Sequence, residues 1–128
     1  MPITVSWGNP EKTAVYAVFG ENWTLEEAHT MIDEMYALTS SVNHTVHTIM
    51  DFTDSHSSPA KLLTTGRHIE NRTVPNSGVS VIVKANAFMK TMSQVITRLF
   101  LKETPMYFAE SREEAFQIIE RHERVNAK

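Results

Sequence analysis

The chain has 128 residues, 41% hydrophobic and 21% charged, with a formal net charge of −3 and no cysteine. These figures fit one globular domain over 1–128, able to bury roughly 65–70% of its unfolded surface, and they exclude disulfides, thiol chemistry, thiolate metal sites and a disordered or fibrous chain. The acidic balance argues against wholesale binding to a phosphate backbone, so no nucleic acid is expected as a partner.

The opening stretch MPITVSWGNPEK has no basic segment followed by an apolar one, and the longest apolar run, Ala14 to Phe19, is too short to span a bilayer. A soluble cytoplasmic protein without stable membrane insertion is the expectation. In chain order, Ile3, Val5 and Trp7 alternate with Thr4 and Ser6, the period of a half-buried strand. Gly8, Asn9 and Pro10 break it, and Thr13 to Phe19 forms a second strand, paired antiparallel with the first through a short polar link. Thr24 and Glu27 in TLEE make a capping box for a first helix, whose inner face is Leu25, Ala28, Ile32, Met35, Thr39 and Val42.

Val46 to Phe52 reads as a buried strand, and Ser58 with Pro59 as the N-cap and first position of a second helix reaching about Arg72, with Leu62, Gly66, Ile69 and Thr73 as its stripe. Pro75 to Gly78 is expected to be a turn, and Val79 to Ala85 a central strand covered on both faces. Asn86 caps a third helix through Leu101, with Phe88, Met92, Val95 and Leu99 facing the core. Met106 to Ala109 is a short last strand, and SREE at Ser111 to Glu114 a second capping box, opening a helix with Ala115, Ile118, Ile119 and His122 inward. The order is β-β-α-β-α-β-α-β-α. Right-handed crossovers make this a single mixed, mostly parallel five-stranded α/β sheet with four helices.

This succession, with an acidic strand end feeding a serine-bearing helix N-terminus, resembles the STAS domain of anti-sigma factor antagonists in its stand-alone form. GVSVIVKANAFMKTMSQVITRLF followed by PMYFAESREEAFQII is similar to the second half of such domains. The resemblance implies a non-enzymatic regulatory module that binds a protein partner in signal transduction. In that family a strand-end aspartate leads to an Asp-Ser-Ser-Gly motif whose serine is phosphorylated. Asp51 is similar to that aspartate, but the motif is absent and Ser57-Ser58-Pro59 stands in its place, at a shorter spacing and without glycine.

Ligands meet open α/β sheets at the carboxyl ends of strands, so the partner-binding or phosphorylation candidates are Asp51, Thr53, Asp54, Ser57 and Ser58. Asp54, His56 and Ser57 or Ser58 could be assembled into a hydrolytic site, but residues this close in sequence rarely reach triad geometry and there is no G-x-S-x-G elbow. No enzyme activity and no cofactor are expected. The six histidines show no ligand pair at helical spacing, and His44 and His47, an odd number apart on a strand, would point to opposite faces, so no metal site is expected. Lys61, His68 and Arg72 line one side of the second helix, with Arg67 on a flank, a basic face that is either simply solvated or suited to an acidic partner surface or an anionic head group. On the third helix Met89, Ile96 and Phe100 widen the apolar stripe to roughly 140°, beyond the ~100° a sheet-covering helix needs. That fringe suits a homodimer interface or, as an alternative function, a small carrier holding an apolar ligand or lipid between the second and third helices.

Overall fold

Ile3, Val5 and Trp7 do alternate with exposed Thr4 and Ser6, in strand β1 (Ile3–Trp7) of a structure that is a computed structural model and describes residues 3–21, 23–53, 76–84, 91, 94, 98 and 106–126. The chain reverses into β2 (Ala14–Phe19) through a turn in which the Gly8 N–H donates to Ala14 O at 2.8 Å and the Lys12 N–H to Asn9 O at 3.2 Å. Lys12 takes a left-handed φ of 58° within this turn. Thr13, expected to open the second strand, instead closes the turn: its N–H donates to Asn9 Oδ1 at 3.0 Å and its hydroxyl accepts from Asn9 Nδ2 at 2.7 Å.

Helix α1 (Leu25–Ser40) starts at the capping box read from TLEE. The Glu27 N–H donates to Thr24 Oγ1 at 3.1 Å and the Thr24 N–H to Glu27 Oε1 at 2.9 Å, satisfying two amides that a helix start leaves without partners. Ala28, Met31, Ile32, Met35 and Thr39 are its buried residues, and the Thr39 hydroxyl is tolerated there because it donates to Met35 O at 2.9 Å. No glycine ends this helix. The Asn76 side-chain amide caps it from a distance, donating to Thr39 O, Val42 O and His44 O at 2.8, 3.2 and 2.8 Å.

Strands β3 (Val46–Asp51), β4 (Ser77–Val83) and β5 (Met106–Ala109) complete a mixed five-stranded sheet in the order β1-β2-β3-β4-β5, antiparallel between β1 and β2 and parallel elsewhere. Helix α2 (Arg112–Asn126) follows β5. The expected strand at 79–85 is displaced. Ser77 and Gly78, read as part of a turn, already belong to β4, where Ser77 pairs with Val46, and Lys84, with φ 62°, leaves the extended region and ends the strand before Ala85. The helices expected over 59–72 and 86–101 lie outside the described residues, apart from Thr91, Gln94 and Arg98, which are helical and exposed.

The two helices take opposite faces. Val15, Ala17, Phe19, Met50 and Ile82 pack with α1, joined by Trp23, whose ring meets Phe19 edge-on at 5.3 Å while Phe19 stacks on Phe52 at 4.3 Å. Ala14, Tyr16, Ile49, Val79, Val81 and Val83 pack with Ala115 and Ile119 of α2. α1 sits over β1 and β2, and α2 over β3 to β5. Ala14, Val15, Tyr16 and Ala17 are therefore all buried, which is why AVYA shows no polar alternation. Among the described residues no helix is long and apolar enough to cross a membrane.

Candidate functional site

Asp51 is the last residue of β3, and strand alternation places His47, Ile49 and Asp51 on the face covered by α2. On the neighbouring β2, Tyr16 is level with Ile49, so its ring lies one step short of Asp51 and its hydroxyl donates to Asp51 Oδ2 at 2.6 Å. The other carboxylate oxygen turns toward the loop. It accepts the Thr53 N–H at 2.9 Å and the Thr53 hydroxyl at 2.5 Å, an Asx-turn that fixes the first step out of the strand.

Arg112, at the start of α2, closes the cluster from above. Its guanidinium carbon lies 4.6 Å from the Tyr16 ring centroid and 5.6 Å from that of Phe116, and Nη2 donates to Gly8 O at 2.8 Å. One side chain thereby joins α2 to the β1–β2 hairpin. Beside it, the Ser111 hydroxyl accepts the Glu114 N–H at 3.1 Å, but the Glu114 carboxylate reaches past Ser111 to the Glu110 N–H at 3.3 Å. The expected second capping box is thus closed one residue further out.

These contacts decide the chemistry. Burial pushes the Asp51 carboxyl up, but the hydrogen bonds from the Thr53 hydroxyl, the Tyr16 hydroxyl and the Thr53 N–H, with the positive charge of Arg112, together hold it below the usual carboxylate range. Tyr16 moves the other way: burial first, then its bond to the Asp51 carboxylate, raise the phenol well above its ordinary 10.0. At neutral pH Asp51 is an ionised acceptor and Tyr16 a protonated donor. An acid this strong is a poor general base and a phenol this weak a poor acid, so the pair suits holding a strand end in place better than proton transfer.

The same face carries a second polar cluster near the amino end of β3. His47 is 2% exposed, and its Nδ1 accepts the Val79 N–H at 3.0 Å. It thereby serves a backbone amide at an irregular point of the sheet, where Val46 pairs with Ser77 but Thr48 with Ser80, leaving β4 one residue longer than β3. With Nδ1 accepting, the neutral ring carries its proton on Nε2, which has no hydrogen-bond partner and faces Glu123 Oε1 at 3.8 Å. Burial lowers the His47 pKa from its ordinary 6.5, opposed by Glu123 and assisted by His122, whose ring lies 6.2 Å away. The expectation that His44 and His47 share a strand on opposite faces fails for His44: it precedes β3, is exposed, and pairs through Nε2 with Lys12 O at 2.8 Å. Among the described residues no group of three histidines or carboxylates is placed to hold a metal ion.

Of the candidates read from sequence, Asp51 and Thr53 are brought together. Asp54, Ser57 and Ser58, the basic face of Lys61, Arg67, His68 and Arg72, and the apolar fringe of Met89, Ile96 and Phe100 lie outside the described residues. Tyr16 and Arg112 were not legible as site residues, although a phenol inside the buried run AVYA needs a polar partner and the strand-end Asp51 is the acceptor that supplies it. Lys84 is a further addition. Exposed and left-handed, it follows β4 while its N–H donates to Ala109 O at 2.9 Å, so Thr53, Lys84 and Glu110 stand along one edge of the sheet. No family model matches the chain, and neither a curated protein nor a solved structure matches it.

Proposed function

We propose that the chain is a non-enzymatic regulatory or interaction module with a STAS-like fold, which docks a protein partner through the 53–58 loop and the helix expected over 59–72. The observation that carries this reading is the saturated Asp51 carboxylate. Three donors from Tyr16 and Thr53 hold it, so the strand end serves as a rigid base from which the loop leaves in a fixed direction. Loops held on such scaffolds are common places for recognition.

In this reading the remaining two helices of the four join β3 to β4 and β4 to β5. Right-handed crossovers would put both on the α1 side, beyond β1 and β2, the strands over which α1 sits. Lys61, Arg67, His68 and Arg72 then give the docking surface a basic flank, and the partner an acidic one. Phosphate on Ser57 or Ser58 would add about −1.5 to −2 charges near Asp51 and Asp54 and change the surface without unfolding the domain.

The test uses a partner captured by the wild-type chain from its native cell. Ser57→Asp and Ser58→Asp each keep near-native melting and bind that partner more weakly by calorimetry. If both variants bind it as the wild type does, the loop is not the docking site.

A further inference from the structure

The sheet ends at β1, which among the described residues has β2 on one side and no strand on the other. Its hydrogen-bonding phase follows from the hairpin. Gly8 donates to Ala14, so alternation along an antiparallel pair makes Ser6/Tyr16 and Thr4/Val18 the hydrogen-bonded pairs. The backbone N–H and C=O groups of Ile3, Val5 and Trp7 therefore point away from β2, a row of donors and acceptors of the kind that accepts another strand.

Beside that edge runs an open groove of about 180 Å³ between β1 and α1. Ile3, Val5 and Met31 form its apolar part, Glu26, Glu27 and Glu34 its charged part, and among the described residues no basic one lines it. The imbalance belongs to the whole helix: in 16 residues α1 carries Glu26, Glu27, Asp33 and Glu34 and no lysine or arginine. Glu27 is committed to the capping box, whereas Glu26 and Glu34 make no hydrogen bond or ion pair among the described residues.

The directions agree. β1 runs opposite to β2, and α1 carries the chain back from the end of β2 to the start of the parallel β3, so α1 runs along β1. From Glu27 to Glu34 the helix rises about 10 Å, the length of roughly three strand residues. A strand laid against β1 would thus project every second side chain over the groove, within reach of these carboxylates.

We infer that the β1 edge and its acidic groove bind an extended basic peptide segment as a sixth strand, with lysine or arginine at alternate positions facing α1. Backbone pairing with Ile3, Val5 and Trp7 supplies the register, and Glu26 and Glu34 select the charge. A second copy of this chain does not fit, since it would bring its own acidic groove to the same edge. The inference does not draw on the 53–58 loop and stands whether or not that loop docks a partner.

The probe is a capped seven-residue peptide, Lys-Thr-Lys-Val-Lys-Thr-Lys, titrated into the 15N-labelled full chain. Shift changes are expected at residues 3–7 and along 24–34, with slowed hydrogen exchange of the Val5 amide. Glu26→Gln with Glu34→Gln, both exposed positions, is expected to raise the Kd about tenfold at unchanged Tm, and the Glu-Thr-Glu-Val-Glu-Thr-Glu peptide to cause no shifts. The inference is overturned by shifts centred elsewhere, by no shifts at millimolar lysine peptide, or by equal binding of the double variant. It is also overturned if the chain alone sediments as a dimer with the Val5 amide already protected.

Discussion

Gly78→Ala is the sharpest perturbation this fold offers. Gly78 does not have a positive φ, so alanine meets no backbone penalty there and its effect is contact alone. An added Cβ would lie 2.3 Å from His47 Nδ1, 2.6 Å from His47 Cε1 and 2.9 Å from Thr45 Cγ2. Ordinary contact requires the imidazole to retreat by about 1 Å, which would stretch the 3.0 Å bond from the Val79 N–H beyond hydrogen-bonding range. Overpacking of this kind costs about 1–3 kcal/mol, and a buried amide left without its acceptor about 1–3 kcal/mol more. A loss of about 4 kcal/mol is a large part of the ~5–15 kcal/mol that holds a domain together, and corresponds to a Tm roughly 15 °C lower. Urea unfolding followed by far-ultraviolet circular dichroism measures it. In a His47→Ala background, where the ring is gone, the same glycine substitution is expected to cost less than about 1 kcal/mol. A single Gly78→Ala variant melting within about 2 °C of wild type would refute the reasoning.

Three further outcomes follow from the same contacts. His47, with its folded pKa depressed, is neutral in the native state while the unfolded chain takes up a proton below 6.5, so this contribution is complete above that pH and is lost as pH falls below it. Thermal melts from pH 7.5 to 5 are expected to show that loss, and His47→Phe to remove most of it. Tyr16→Phe and Asp51→Asn each cost about 1–3 kcal/mol, and because both act on one charge-assisted bond the double variant is less destabilised than their sum by about 1–2 kcal/mol. Strict additivity in urea would show that the bond contributes nothing. Asn76→Ala strips donors from Thr39 O, Val42 O and His44 O, costs about 1–3 kcal/mol, and accelerates amide exchange in the last turn of α1 without affecting its first.

What could be read from sequence was what is decided within a few residues. The alternation of Ile3, Val5 and Trp7 and the Thr24–Glu27 box both produced the elements they imply, because period and capping act locally. Ser77 and Gly78 failed on a local reading: in sequence they are turn residues, yet Gly78 sits in a strand because the ring of His47, 31 positions earlier, occupies the space of its missing side chain. The same holds for the site. Asp51 at a strand end was legible, but its hold on Tyr16 spans 35 residues and the Arg112 tie to Gly8 spans 104, separations that no motif records. Lys84 illustrates the limit from the other side, since nothing in VSVIVKA marks where the strand must stop, and it stops on a left-handed lysine.

The two polar clusters lie at opposite ends of the face under α2, with Ile49, Val81, Ala115 and Ile119 between them. Both act by satisfying backbone or loop groups: Asp51 directs the chain into the loop, and His47 secures the irregular start of β4. Neither arrangement includes an activated nucleophile. The proposed function is recognition of a macromolecule rather than retention of a small ligand.

Native mass spectrometry of the freshly purified chain tests that claim most directly. An interaction module is expected to fly as the bare 14.5 kDa chain or an integer multiple of it. An additional mass of a few hundred daltons, surviving gentle desorption and extractable into organic solvent, would show a carrier of an apolar ligand and contradict the account.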